Sequence, residues 1–260
     1  MKSNKEAEKS IIKRFRKEIY SRFVRAIKDF ELIEEGDNIC VCISGGKDSF
    51  ILAKCLQELQ KHSKYKFNLK FLVMDPGYNK VNLDLIKENA SSLEIPIIIE
   101  ESNIFDVIKN EENACYLCAR MRRGFLYSRA KELGCNKIAL GHHFNDVIET
   151  ILLNQIYTGQ FSSMLTILIS DNFEGMKLIR PLFYVKEKDI KSWVKYNDLF
   201  FIDCACKVTK KDLGKRLEIK KLTEELVKMY KNADINIFNS MFNVNKNTTF
   251  EKKCKVDENF

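Results

Sequence analysis

The stretch Ser44-Gly45-Gly46-Lys47-Asp48-Ser49 stands between two apolar segments of different period. Before it, Ile39-Cys40-Val41-Cys42-Ile43 is a continuous run of strand length; after it, Phe50-Ile51-Leu52 through Leu56 has helical spacing. A strand that passes through a glycine turn straight into a helix points to a fold of parallel strands joined by helical crossovers. The same junction suits a phosphate, because turn N–H groups and the positive end of the helix dipole face it together. Gly45 and Gly46 let the backbone come close to an anion. Lys47 adds a point charge. Ser44 and Ser49 offer hydroxyls, and Asp48 suits Mg²⁺. The plain alternative is a glycine turn with a side-chain cap, which needs only one of these six residues.

The other elements fit that frame. Residues 3–33 read as one long amphipathic helix, with Ile11, Ile12, Phe15, Ile19, Phe23, Ile27 and Phe30 at three- and four-residue steps. Strands are expected at 38–43, 67–74, 96–100 and 137–140, and helices from the loop to Lys61 and over 81–93. Further on, Leu178 to Leu182 reads as a strand end, 186–197 as a helix, 200–202 as a short apolar run and 211–230 as another helix. From Asn232 the chain is rich in Asn and Lys and reads as a partly disordered tail. The fold class is α/β: a Rossmann-like parallel sheet with an N-terminal helix and a helical C-terminal extension. The expected division is 1–35, 36–210 and 211–260. Ligands of such sheets bind at the carboxyl ends of the strands. Ser44, Asp75 (with Met74 before it) and Gly141 all sit there, so three segments converge on one site.

Charge is unevenly placed. Residues 1–30 carry ten Lys/Arg against four Asp/Glu, and residues 207–260 carry thirteen against eight, within a net charge of +8. The middle is therefore slightly acidic between two basic ends, a footprint that fits either a polyanion or ordinary solvated helix faces. No apolar run reaches the length of a membrane span. The polar start of the chain does not read as a secretory signal. Nine cysteines without an export signal imply a reducing, cytoplasmic setting.

Those cysteines fall into two groups. Cys40, Cys42, Cys55 and Cys135 occupy core positions of strands or helices and read as inert thiols, as does Cys254 in the tail. Cys115-Tyr116-Leu117-Cys118 opens a helix with Arg120, Arg122, Arg123, Arg129 and Lys131 and no acid from 113 to 131, and Cys204-Ala205-Cys206 follows the last apolar run. Cations and a helix start favour thiolate, the form that binds metal. Four readings compete: a zinc ribbon, for which the second pair has the wrong spacing; a redox C-x-x-C; buried inert thiols; and an iron–sulfur cluster on three thiolates.

The six-residue loop lacks the Walker spacing and the dinucleotide glycine pattern. It resembles the pyrophosphatase loop of enzymes that cleave ATP between its α and β phosphates. The chain as a whole resembles the TtcA-type PP-loop enzymes that make 2-thiocytidine in tRNA. The likeness is carried by Ser44–Ser49, by Cys115–Cys118 with Arg122-Arg123-Gly124, and by Gly141-His142-His143-Phe144-Asn145-Asp146. Asn154, Tyr157-Thr158-Gly159, Ile179-Arg180-Pro181-Leu182, Lys186 to Ile190 and Cys204 complete it. One departure is the segment 160–172, which lacks the basic and proline residues of family members.

The resemblance implies a [4Fe-4S] cluster on Cys115, Cys118 and Cys204, with Cys206 the alternative third ligand and one iron left open for sulfide. It implies Mg-ATP on residues 44–49 near Met74, Asp75, Gly141 and Asp146, with Asp48 and Asp146 catalytic beside the cysteines. His142 and His143 are read as positioning groups. The implied reaction adenylylates the C2 carbonyl of a cytidine in a tRNA anticodon loop and replaces its oxygen with sulfur. Implied partners are tRNA, a cysteine desulfurase or other sulfide source, and a second copy of the chain. The alternatives are a lysidine synthetase-like enzyme, a uridine thiolase, a small-molecule sulfurtransferase and a non-catalytic metal-containing RNA-binding protein. The C-x-x-C argues against the first, and an ATP loop argues against the last.

Overall fold

A computed structural model describes residues 2–102, 104, 107, 114–202 and 213–248; of residues 114–116, 118, 119 and 213 only the backbone is described. The strands are β1 (Asn38–Ile43), β2 (Asn68–Asp75), β3 (Ile97–Glu101), β4 (Lys137–Ala139), β5 (Ile167–Ile169) and β6 (Lys177–Ile179). They form one sheet in the order β3-β2-β1-β4-β6-β5. β1 pairs in parallel with both β2 and β4, β2 with β3, and β4 with β6, while β5 runs antiparallel at the edge. The chain thus moves outward from β1 through β2 to β3, then returns to the other flank of β1 as β4. Crossovers diverge at β1/β4, and that is where an open α/β sheet leaves a crevice for ligands.

The helices are α1 (Asn4–Ile12), α2 (Ser21–Asp29), α3 (Lys47–His62), α4 (Lys80–Ser92), α5 (Ala114–Glu132), α6 (Phe144–Thr158), α7 (Glu187–Tyr196), α8 (Leu213–Met229) and α9 (Ala233–Ser240). Strand alternation divides the core between the two faces of the sheet. Ile39, Val41, Ile43, Phe71, Val73, Ala139 and Ile179 join one cluster, with Phe50, Leu52 and Leu56 of α3 and Ile86 of α4. Cys40, Cys42, Leu72, Ile138 and Leu178 face the other way, with Tyr127 and Ala130 of α5. The expected inert thiols Cys40, Cys42, Cys55 and Cys135 are buried and free. Burial pushes the Cys55 thiol well up from its ordinary value.

Three elements differ from expectation. The N-terminal run is not one helix: α1 ends at Ile12, a π-helical turn spans Arg16–Tyr20 and α2 follows. Its apolar residues at 11, 15, 19, 23 and 27 repeat every four residues. In a straight α-helix such a stripe drifts about 40° per step. The wider turn resets the drift, and Ile11, Ile19 and Phe23 are all fully buried. The strand β5 was not foreseen: it is an antiparallel edge strand with Ile169 exposed, outside the alternation of strand and helix from which the other strands were read. The segment after Asn232 holds α9 and a 3₁₀ turn at Lys246–Thr248, with Phe238 buried. Residues 249–260 of the expected tail lie outside the described residues.

Two compact units can be drawn: 1–146 with 165–214, and 147–164 with 215–260. In the second, Tyr157 donates to Glu218 at 2.8 Å and Lys215 lies over the Tyr157 ring. No helix among the described residues is long and apolar enough to cross a membrane.

Two fully buried lysines tie the first unit together. Lys137 at the start of β4 meets Asp37 at 2.7 Å and the Leu32 carbonyl at 3.1 Å. Lys54 of α3 has three partners: Glu8 of α1 at 2.7 Å, Gln57 at 2.8 Å and the Leu93 carbonyl at 2.9 Å. Burial lowers the Lys54 ammonium from its ordinary value more than Glu8 raises it. Removing one partner of a buried pair leaves an uncompensated charge. Glu8→Ala is therefore expected to lower unfolding stability by about 3 kcal/mol. Urea unfolding measures it: the midpoint falls with the slope unchanged. An unchanged midpoint would show that the pair does not join α1 to the sheet.

Candidate active site

The phosphate-loop residues sit between the carboxyl end of β1 and the first turn of α3. Gly45 has φ +86°, a left-handed conformation that favours glycine. A Cβ there would also stand 2.9 Å from Ile202 Cδ1 and 3.0 Å from Ile86. Gly46 caps α3 with no side-chain hydrogen bond, so the first N–H groups of the helix face the loop without an intrahelical partner. Ser49 is buried and braces the loop from inside. Its hydroxyl donates to the Gly46 carbonyl at 2.8 Å and accepts from the Ser44 N–H at 3.2 Å. Its proton is thus spent within the loop, and the hydroxyl of Ser44, which is exposed, donates to Ser49 Oγ at 3.4 Å.

The loop after β4 closes against this turn. A Cβ on Gly141 would lie 2.9 Å from the carbonyl carbon and oxygen of Asp48 and 3.0 Å from the Ser49 nitrogen. That approach brings the start of α6 to α3. The His143 N–H donates to Asp146 Oδ2 at 2.8 Å, which closes the first turn of α6 in the manner of a capping box. The His143 ring is buried between two carboxylates, with Nδ1 3.1 Å from Asp146 Oδ2 and Nε2 3.8 Å from Asp48 Oδ1. Asp48 Oδ1 itself is buried and has no hydrogen-bond partner. An orphan carboxylate oxygen of this kind fits a hard cation, and Mg²⁺ takes one or two carboxylates together with phosphate oxygens. Among the described residues no three ligating side chains form a ready-made cage.

Lys47 lies 3.1 Å from Asp48 Oδ2 and 3.2 Å from Glu187 Oε1. Burial alone would lower the Lys47 ammonium, but Asp48 and Glu187 outweigh it and hold it above its ordinary value. Arg180, at the carboxyl end of β6, donates from Nε to His142 Nδ1 at 3.3 Å. Burial, with Arg123 as a like charge, pushes Arg180 down to about 10. Sequence reasoning gave no role to Glu187 or Arg180. Both lie in segments that carry the family likeness, Ile179 to Leu182 and Lys186 to Ile190, but the likeness by itself assigned them nothing.

At the end of β2, Asp75 Oδ1 accepts from the N–H groups of Gly77 and Tyr78 at 2.9 and 2.6 Å. The turn it shapes brings the Tyr78 hydroxyl to 3.4 Å from the Ser44 carbonyl. Met74 is buried beside Ile104, with Leu117 and Met121 of α5 packed on the pair.

Cys115 lies in the first turn of α5 and Cys118 opens the second, their side chains outside the described residues, as are Cys204 and Cys206. The described residues that flank them are anchored at the same end of the sheet. Leu117, between the first two, packs at Met74. Ile202, two residues before Cys204, donates its N–H to the Gly45 carbonyl at 3.2 Å. Asn89 holds the Phe200 carbonyl at 2.7 Å, and Phe201 packs on Phe50.

Backbone atoms cannot yield to a methyl as a flexible side chain can, and overpacking costs about 1–3 kcal/mol. Gly141→Ala is expected to lower both thermal stability and ATP affinity. Calorimetric melting and ATP titration check it. An unaltered ATP affinity would dissociate the loop after β4 from the nucleotide site.

Comparison with known proteins places this geometry. A family model described as the PP-loop domain matches residues 15–210. A tRNA-cytidine(32) 2-sulfurtransferase of Geobacter metallireducens is 38% identical over 218 residues, 82% of this chain and 84% of that protein. One of Geotalea uraniireducens is 35% identical over 242 residues, 91% and 95% of the two chains. Among solved structures, the U34-tRNA thiolase NcsA from Methanococcus maripaludis with its [4Fe-4S] cluster superposes with a TM-score of 0.70 at 21% identity, covering 85% of this chain and 77% of that one. That last likeness shows a shared fold. With a matched PP-loop domain and relatives aligned along most of its length, the chain belongs to the tRNA-cytidine(32) 2-sulfurtransferase family of ATP-binding PP-loop proteins.

Proposed function

We propose that the protein is an ATP-dependent tRNA thiolase that replaces the C2 oxygen of cytidine 32, in the anticodon loop, with sulfur. The observation that supports this reading is the hydrogen bond from the Ile202 N–H, two residues before Cys204, to the Gly45 carbonyl of the phosphate loop, with Leu117, between Cys115 and Cys118, packed against Met74 and Ile104. An ATP loop alone serves many acceptors. A loop to which the chain approaching Cys204 is hydrogen-bonded couples activation to a thiolate site.

In this mechanism the N–H groups at the start of α3, with Lys47 and Ser44, bind the β and γ phosphates. Asp48, flanked by the His143 ring, would hold Mg²⁺ with its carboxylate, and Asp146 would support it from the start of α6. The cytidine C2 oxygen attacks the α phosphorus as the α–β bridge breaks, so pyrophosphate leaves and the base carries AMP. The protein's part is alignment and charge neutralisation, which is how most phosphoryl and nucleotidyl transfer is catalysed. Cys115, Cys118 and Cys204, with Cys206 as the alternative third ligand, would hold a [4Fe-4S] cluster. When bound, the cluster supplies the sulfur that replaces the C2 oxygen as AMP leaves. Arg122, Arg123 and the basic N-terminal segment contact the phosphates of the unpaired loop, the form in which proteins read RNA bases. The enzyme works in the cytoplasm as a homodimer and draws sulfur from a cysteine desulfurase or another sulfide source.

The cluster is tested by anaerobic purification. The wild type is expected brown, with broad absorption near the visible and close to four irons per chain; Cys115→Ala and Cys204→Ala lose that absorption while still binding ATP. A colourless, iron-free wild type contradicts it. The acceptor is tested separately by nucleoside analysis of tRNA from a deletion strain. Loss of 2-thiocytidine, restored by the wild-type gene and not by Asp48→Ala, is expected; unchanged 2-thiocytidine contradicts the assignment.

A further inference from the structure

The side chain from outside the loop that meets Lys47 is Glu187, the first residue of α7. It is held from three directions. Its backbone N–H donates to Asn145 Oδ1 at 3.0 Å. Its Oε1 lies 3.2 Å from Lys47 Nζ and its Oε2 3.1 Å from Lys191 Nζ, one turn further along α7. The Glu187 side chain is 11% exposed and that of Lys191 56%. Lys47 is thus shared between two carboxylates, Asp48 and Glu187, and Glu187 is shared between two ammonium groups.

We propose that Glu187 is a positioning residue that stores the phosphate-loop lysine until nucleotide arrives. Lys47 exchanges Asp48 and Glu187 for the phosphates of ATP, and Lys191 keeps Glu187 compensated once Lys47 has left. The proposal rests on residues 44–49 being the ATP phosphate loop.

The argument is electrostatic. A carboxylate on Lys47 competes with the triphosphate for one ammonium group, so it weakens ground-state binding of ATP. The same carboxylate fixes where that ammonium starts, at the first turn of α3, so Lys47 meets the phosphates in one geometry. Lys191 sets the balance. While it neutralises part of Glu187, the hold on Lys47 is looser; without it, more of the carboxylate charge acts on Lys47. Removing Glu187 and removing Lys191 must therefore shift ATP affinity in opposite directions. Opposite charges beside a polyanion give that split in any case; the slower pyrophosphate release of Glu187→Gln, recovered in part by Glu187→Asp, is what marks a positioning role.

The test uses the full chain, with ATP binding followed by calorimetry in Mg²⁺ and pyrophosphate release followed with unmodified tRNA. An exposed or half-exposed ion pair contributes up to about 1 kcal/mol, which corresponds to a change of about threefold to fivefold in affinity. Glu187→Gln is expected to bind ATP about threefold more tightly yet release pyrophosphate about tenfold more slowly. Lys191→Ala is expected to bind ATP about threefold more weakly. Glu187→Asp, which keeps the charge, recovers part of the rate. Weaker binding by Glu187→Gln, or the same direction of change in both variants, overturns the proposal. If Glu187→Gln does not fold, Lys191→Ala decides alone, and unchanged or tighter binding overturns it. A wild type that binds no ATP at millimolar concentration removes the phosphate-loop reading itself, and the proposal with it.

Discussion

Everything in the site depends on the approach of two backbones at the β1/β4 switch point. Gly141 lies so close to the Asp48 carbonyl that a methyl group would fall at 2.9 Å from it. That contact exists because β1 pairs in parallel with β4 and both strands end on the same side of the sheet. It sets α3 and α6 with their N-termini together, and so puts Asp48, His143 and Asp146 in one cluster. It also fixes what each position tolerates: glycine at 141 for proximity, and glycine at 45 for its positive φ and for Ile202 against it.

Such a cluster is electrostatically demanding. Three carboxylates, from Asp48, Asp146 and Glu187, converge within reach of each other and of an intended polyanion. Lys47 offsets two of them, lying between Asp48 and Glu187, and the His143 ring stands between the carboxylates of Asp48 and Asp146. Offsetting of this kind is what a nucleotide site requires before its ligand arrives, because isolated charges in a partly buried crevice would either shift their protonation or drive the elements apart. The same geometry leaves Asp48 Oδ1 without a hydrogen-bond partner, an oxygen that a cation would satisfy.

The sheet was legible because its central strands are apolar runs broken by glycine and polar turns. β1 to β4 came out within a residue or so of their observed ends, and the alternation of Ile39, Val41 and Ile43 against Cys40 and Cys42 explains why. β5 was illegible because it is an antiparallel edge strand with Ile169 exposed, outside the strand–helix alternation. The N-terminal break was written in the four-residue spacing of Ile11, Phe15, Ile19, Phe23 and Ile27, but a window tuned to a straight helix accepts that spacing as well. In the site, the loop residues were visible as a contiguous string, whereas Glu187, although within the segment Lys186 to Ile190 that carries the family likeness, had no visible role, since it reaches Lys47 across about 140 residues of chain. Ser49 shows a subtler limit. The sequence tells that a hydroxyl is present, and only the fold tells that its proton goes to the Gly46 carbonyl.

The central claim is that this geometry aligns a base oxygen on the α phosphorus of ATP and then allows sulfur to displace AMP. The most direct measurement follows the oxygen. tRNA carrying an ¹⁸O label at C2 of cytidine 32 is incubated anaerobically with the cluster-loaded protein, Mg-ATP and sulfide, and the released AMP is weighed by mass spectrometry. The account predicts that the label passes from the base into AMP, one for each 2-thiocytidine formed. Unlabelled AMP, or cleavage of ATP to ADP, would contradict it.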